Sequence, residues 1–313
     1  MFLFRSIRRS SFATAAAALA SLSLGAVAAT PSHAQELLGF QLEGSLGEGG
    51  FDRYVPPVTN PVFNETPLIT TEIRPIYIHQ NIPDDFLTGG GNIDIVAAQI
   101  RVAVTDRFGL LATTDGFADI DFDNNALPDS DGFADLAIGA KYALHYDPAA
   151  GEVFTLGLRY TVPTGDIDVG PLELSGNGAG YLHAFASAMK IAGPWQFQGS
   201  LGIEQGLSSE LTSFFHASAH ISYELFDGFY PLVEANVFLP YDGGDQIPNS
   251  NLTGFEVADL GSSDPEDTVT VAGGFRWRLH DNAIMGAAFE YNLNESSNSL
   301  FEWRSMFDVA IHF

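Results

Sequence analysis

The amino-acid sequence predicts an all-β chain, a transmembrane antiparallel β-barrel of about twelve strands with short periplasmic turns and longer external loops. Three observations predict it. Near the C-terminus, Phe301, Trp303, Phe307, Val309, Ile311 and Phe313 share one face, while Glu302, Arg304, Asp308 and His312 share the other. That is the period-two signature of a strand. Similar alternation recurs along the chain, and no segment after the N-terminal region reaches the unbroken apolar length of a spanning helix. The N-terminus reads as an export signal, and an exported chain without an apolar helix can span a membrane only as a closed barrel.

The elements follow in order. Arg5, Arg8 and Arg9 form a basic start, an Ala-rich apolar stretch runs from about Phe12 to Ala29, and Ser32-His33-Ala34 supplies small residues before a cut. Residues 1–34 are therefore expected to be a signal peptide cleaved after Ala34, with Ala29 as the second choice. Residues 35–68 are Gly- and Pro-rich. Pro56, Pro57 and Pro61 exclude a central strand because proline lacks the donor a ladder needs, so this segment is expected to be a periplasmic or plug-like lead-in. The barrel is assigned to residues 69–313, with strands near 70–81, 92–105, 110–119, 133–146, 153–163, 180–191, 195–204, 212–225, 230–241, 267–279, 284–294 and the C-terminal segment. In the fifth, Phe154, Leu156, Leu158, Tyr160 and Val162 oppose Thr155, Arg159 and Thr161. An even strand count returns the chain to its starting side. Trp195, Tyr223, Tyr230, Trp277 and Trp303 lie near strand ends, where aromatic girdles are expected.

The connections alternate in length, as the turns and loops of a barrel do. The longer ones, near 82–91, 120–132, 164–179, 205–211, 241–266 and 294–300, contain Asp and Glu but no Lys, Arg or His. The outer rim is thus expected to be negative, attracting cations and repelling anions. Formal net charge is −26, and losing three signal arginines leaves −29. That balance excludes nucleic acid as a partner, since its recognition needs a basic surface. The chain has no cysteine, so no disulfide framework holds it.

Two stretches carry a family signature. One is Gly132-Phe133-Ala134-Asp135-Leu136-Ala137-Ile138-Gly139-Ala140-Lys141-Tyr142, and the other is Leu156-Gly157-Leu158-Arg159-Tyr160-Thr161-Val162-Pro163-Thr164-Gly165-Asp166. Together they resemble the strand–turn–strand motif of the MetA-pathway of phenol degradation family. The resemblance implies an outer-membrane barrel that transports small, often aromatic or apolar, compounds. The aromatic ending at Phe313 likewise resembles the C-terminal signal of outer-membrane barrels, implying the barrel-assembly machinery as a partner. Outer-membrane lipids, lipopolysaccharide and a small-molecule solute complete the expected partners, and the outer membrane of a Gram-negative-type bacterium is the expected location.

Charged residues are costly toward lipid and fit a polar lumen. Arg159, Glu234, Asn236, Arg276, Arg278, Glu290, Glu302 and Arg304 are therefore the lumen candidates, as a selectivity constriction or a salt-bridge lattice filling a narrow barrel. His216, Ser218, His220, Ser222 and Glu224 also share one face. A hydrolase would need a nucleophile and base in contact, whereas alternate strand residues stand about 7 Å apart, and no Gly-x-Ser-x-Gly elbow is present. No catalytic set is assigned. Asp119, Asp121 and Asp123 start like a calcium loop, but Asn124 stands at the glycine position of the turn, so no metal and no cofactor are assigned. Passive passage of small solutes is the leading reading. The alternatives are a structural or surface-interaction barrel with a plugged lumen, and a membrane-embedded lipid hydrolase.

Overall fold

A computed structural model describes residues 36–37, 40–41 and 51–313, except 125–126, 255–257 and 295. The expected signal peptide lies outside the described residues, as does most of 35–50. Twelve antiparallel strands form one closed ring. They are β1 (Glu72–Ile82), β2 (Gly91–Ala103), β3 (Phe108–Phe122), β4 (Leu136–Asp147), β5 (Glu152–Val162), β6 (Tyr181–Ala192), β7 (Trp195–Gly206), β8 (Ser213–Tyr223), β9 (Phe229–Asp242), β10 (Thr268–His280), β11 (Ala283–Asn292) and β12 (Trp303–His312). Each pairs with its neighbour in sequence, and β12 closes on β1 through pairs such as Phe307 with Tyr77. Among the described strands the ring has no open edge, so the ladders pair within the protein, as hydrocarbon requires.

Side-chain parity sets the two surfaces. Leu158, Leu201, Phe215, Val233 and Phe289 point outward and are exposed, Leu201 and Val233 above 60%. Such an apolar band has no place in water and faces lipid here. Trp195 and Trp277 lie on the same outer face beside the short turns, where a girdle is expected. Tyr230 departs from that expectation. It turns inward, is buried, and its hydroxyl donates to Glu224 at 3.0 Å.

The lumen is filled, by two layers. Toward the short-turn end, residues 51–71 enter the barrel as a loop and return to start β1, with Phe51, Tyr54, Val55, Val58, Thr59 and Glu65 all buried. The loop reverses around Asn60, whose φ of 47° lies in the left-handed region that Asn tolerates better than most residues. The Asn64 N–H then donates to the Asn60 carbonyl at 2.7 Å. Toward the long-loop end the interior is apolar, which the lumen candidates alone do not foretell. Ile93, Ile95, Ala118 and Ile120 from β2 and β3 pack with Ile167, Leu174, Leu260 and Leu300 from the outer loops. These loops fold over the mouth, so inward apolar residues gain apolar partners in place of a water column.

Candidate functional site

The inner layer is organised around the backbone of residues 51–71. Four prolines in this stretch rule out a ladder of its own, yet buried carbonyls need donors. The barrel wall supplies them. Arg276 Nε donates to the Pro56 carbonyl at 2.8 Å, and Arg74 Nη2 to Pro57 at 2.8 Å and Val58 at 3.2 Å. Gln99 donates to Pro61 at 2.8 Å, Arg159 to Val62 at 2.9 Å, Ser200 to Phe63 at 2.7 Å and Thr155 to Pro67 at 2.6 Å. Arg278 reaches the Tyr54 carbonyl at 3.0 Å. The N–H groups of the loop find carboxylate: Val58 and Thr59 donate to Glu234 at 2.8 and 2.7 Å.

Three ionic clusters support these contacts. Glu65, on the limb that returns toward β1, accepts Arg101 through two nitrogens at 2.8 Å each, Lys141 at 2.8 Å and Arg159 at 3.2 Å. Burial would push the Glu65 carboxyl up, but Arg101, Lys141 and Arg159 together hold it well below the usual carboxylate range. Arg101 also donates to Glu72 at 2.6 Å. In the second cluster Asp308 pairs with Arg74 at 2.5 Å and with Arg276. Gly286 makes room for that pair, because a Cβ there would overlap the Arg276 guanidinium. In the third, Glu290 accepts Arg304 Nε at 2.7 Å, Asn236 at 3.0 Å and the loop's Asn60 at 2.9 Å, while Arg304 donates to the Asn60 oxygen at 2.8 Å.

Arg159, Glu234, Asn236, Arg276, Glu290 and Arg304 are therefore brought together inside the barrel, with Arg278 at the inner end. Each of these residues except Asn236 contacts the loop directly through a backbone group, Glu65 or Asn60; Asn236 meets Thr59 Oγ1 at 3.2 Å. Glu302 is not part of this arrangement. It precedes β12 at the outer end and is half-buried. Glu224 likewise falls beyond β8, where it pairs with Arg53 of the loop instead of continuing the inward row. Sequence reasoning missed Glu65, Arg74, Arg101, Lys141 and Asp308. For Arg74, Arg101, Lys141 and Asp308 the signal was available in the inward parity of their strands, whereas Glu65 lies on the loop and has no such pattern.

His220, Ser222 and Glu234 stand in a relay. His220 Nδ1 is 2.7 Å from Glu234, and Nε2 is 3.1 Å from Ser222 Oγ. The distances match a hydrolytic triad, but Ser222 is about 1% exposed and Glu234 is committed to the loop's N–H groups. The arrangement grips the loop and offers no opening to a substrate. Among the described residues, no group of three or more His, Asp or Glu is placed to hold a metal. Asp119 and Asp121 lie on β3 itself, so they do not form a loop that could wrap an ion.

Against Val62 and Phe63 of the loop lies a cavity of about 100 Å³, lined on its other side by Ala134, Ile167, Leu174 and Ala258.

The family model described as "Putative MetA-pathway of phenol degradation" matches residues 73–303, which is most of the chain. Among solved structures, an outer membrane channel from Pseudomonas putida F1 superposes with a TM-score of 0.58 at 14% identity, covering 83% of this chain and all of that one. The NanC porin superposes with a TM-score of 0.50 at 7% identity, covering 78% of this chain and 100% of its own. At such identities the likeness is one of fold. No curated protein sequence matches the chain.

Proposed function

The chain belongs to the MetA-pathway of phenol degradation family of outer-membrane barrels, and on that premise we propose that it is a gated channel for small solutes, closed at rest by residues 51–71. One observation carries this reading. The loop's backbone and Glu65 are held by hydrogen bonds from lumen side chains, and its apolar residues are split among separate clusters, Phe51, Tyr54, Leu68 and Ile69 in one, Phe63 with Phe214 and Phe238 in another, and Val55 with Tyr230 and Ile284 in a third. A neutral protein hydrogen bond contributes about 0.5–1.5 kcal/mol net and one to a charged group about 1.5–3 kcal/mol, because water can replace either partner. A loop held this way can leave, and the wall it vacates is a water-compatible ring of Arg, Lys, Glu and Gln. Such rings sort solutes by charge. The apolar outer layer and the acidic loops favour small, neutral or cationic solutes with apolar or aromatic bodies, and their passage needs no chemical turnover.

A second reading, a permanently plugged structural barrel, is favoured by the number of buried contacts the loop makes. Planar-bilayer recording separates the two. The full mature chain is expected to show rare openings, and Arg276→Ala and Glu290→Ala are expected to open more often, since each removes a grip on the loop. Silence from all three, with heat-modifiable barrels confirmed on gels, would leave the plugged structural barrel.

A further inference from the structure

The cavity above Phe63 is two-faced. Ile93, Ile95, Ala118 and Ile120 make an apolar wall, while Thr113, Tyr181, Glu204, Asp135 and Asp259 make a polar one. Local geometry builds it. Gly116, at φ 79°, sits in a bulge of β3, where a Cβ would overlap the Val96 carbonyl. The extra residue flips the parity of β3, so that Thr113 before it and Ala118 after it both face inward. The carboxylates are fixed from behind. Asp135 Oδ1 accepts the N–H groups of Thr164, Gly165 and Gly176 at 3.0, 2.7 and 2.9 Å. Asp259 accepts Thr212 N–H and the Tyr181 hydroxyl at 2.6 Å each and Gly261 N–H at 2.9 Å.

Two features point to a ligand. Thr113, a residue of the lining, has a buried Oγ1 with no hydrogen-bond partner, which costs about 1–3 kcal/mol if left so. Second, three carboxylates line the space, and among the described residues no Lys, Arg or His does. His183 is not part of the lining and stands 3.6 Å from Glu204. The volume of about 100 Å³ is about two-thirds that of an apolar protein cavity that accepts benzene.

We propose that this chamber is a binding station for one small primary amine with an apolar body, its ammonium directed to the Glu204–Asp259–Tyr181 wall and to Thr113, and its hydrocarbon part to the β2–β3 wall. This deepens the channel reading and rests on it for its biological sense, naming a cationic solute class and the place where it pauses. Anions would meet three carboxylates in a partly dry space, where like charge is most costly.

The test uses the full mature protein in detergent micelles, with cyclopentylamine, cyclopentanol and cyclopropanecarboxylate as probes of matched size, and ligand-observed NMR or calorimetry as readout. Saturable cyclopentylamine binding is expected, at least about tenfold tighter than either other probe, as charge complementarity predicts. Ala118→Phe, which fills the chamber, should abolish it, and Glu204→Gln should weaken it about tenfold while leaving the barrel heat-modifiable. Absence of saturable amine binding overturns the proposal, as does equal binding of the carboxylate or alcohol, or binding unaffected by Ala118→Phe. Current through Arg276→Ala is scored separately. Current without amine binding removes the chamber and keeps the channel, whereas amine binding without current does the reverse.

Discussion

Glu65→Gln is the most revealing single change. Glu65 is buried and faces Arg101, Lys141 and Arg159 within 3.2 Å. The amide keeps the shape and two acceptor lone pairs but removes the charge, leaving three cations in one buried cluster with Glu72. Removing one partner of a buried pair costs about 3–5 kcal/mol. Part of that is recovered, because Arg101 keeps Glu72 at 2.6 Å and the amide oxygen still accepts. A net cost of roughly 2–3 kcal/mol follows, about a 30- to 150-fold shift toward the released loop. The cost falls on the loop and not on the barrel, whose ladders do not involve Glu65. Single-channel recording in planar bilayers should therefore show a sharply higher open probability, with an unchanged heat-modifiable band. An intact Glu65→Gln barrel whose openings are as rare as those of the parent chain would refute the electrostatic grip.

Three further outcomes follow from the same geometry. The Glu65 carboxyl is held below its ordinary value of 4.5 inside the lumen, so its hold is fully present above that value and fades as pH falls through the lower one. Open probability should thus be flat between neutral pH and about 5 and rise in stronger acid, and Glu65→Gln should lose that component of the rise. Gly286→Ala would drive a Cβ into the Arg276 guanidinium, costing about 1–3 kcal/mol as overpacking. It should raise protease sensitivity of residues 51–71 in folded protein, and unchanged sensitivity would count against the Arg276 contact. Val233→Arg, on the lipid face near mid-strand, should cost about 2–4 kcal/mol and reduce the yield of inserted barrel, whereas an unimpaired yield would place Val233 away from lipid.

Much of the barrel was legible because strands write their two faces as alternation. Leu156, Leu158 and Tyr160 against Thr155 and Arg159 could be assigned to lipid and lumen from sequence, and the acidic connections marked the long-loop end. The lumen charges could be named for the same reason. Their task could not. Arg276 and Arg159 end on the carbonyls of Pro56, Pro57 and Val62, contacts between segments far apart in sequence, and a carbonyl leaves no signature in a residue string. The proline run did announce a segment unable to pair as a strand, which is why a plug-like lead-in could be expected while its partners could not. The chamber was hidden by the bulge at Gly116. A strict period of two places Thr113 and Ala118 on opposite faces, and only the extra residue reunites them. Tyr230 misled for a related reason, since an aromatic at a strand end serves a girdle or an inward hydrogen bond with equal ease.

The central claim is that solute passes through the lumen when residues 51–71 leave it. The chain has no cysteine, so Val58→Cys introduces a unique thiol at a fully buried site of the loop. In the Glu65→Gln background, current should be recorded while a bulky, membrane-impermeant maleimide is applied from the short-turn side. The account predicts no labelling of silent channels, labelling of open ones, and channels locked open afterwards because the modified loop cannot re-enter. Sustained current with Val58→Cys still protected, or labelling that leaves the barrel silent, would contradict it.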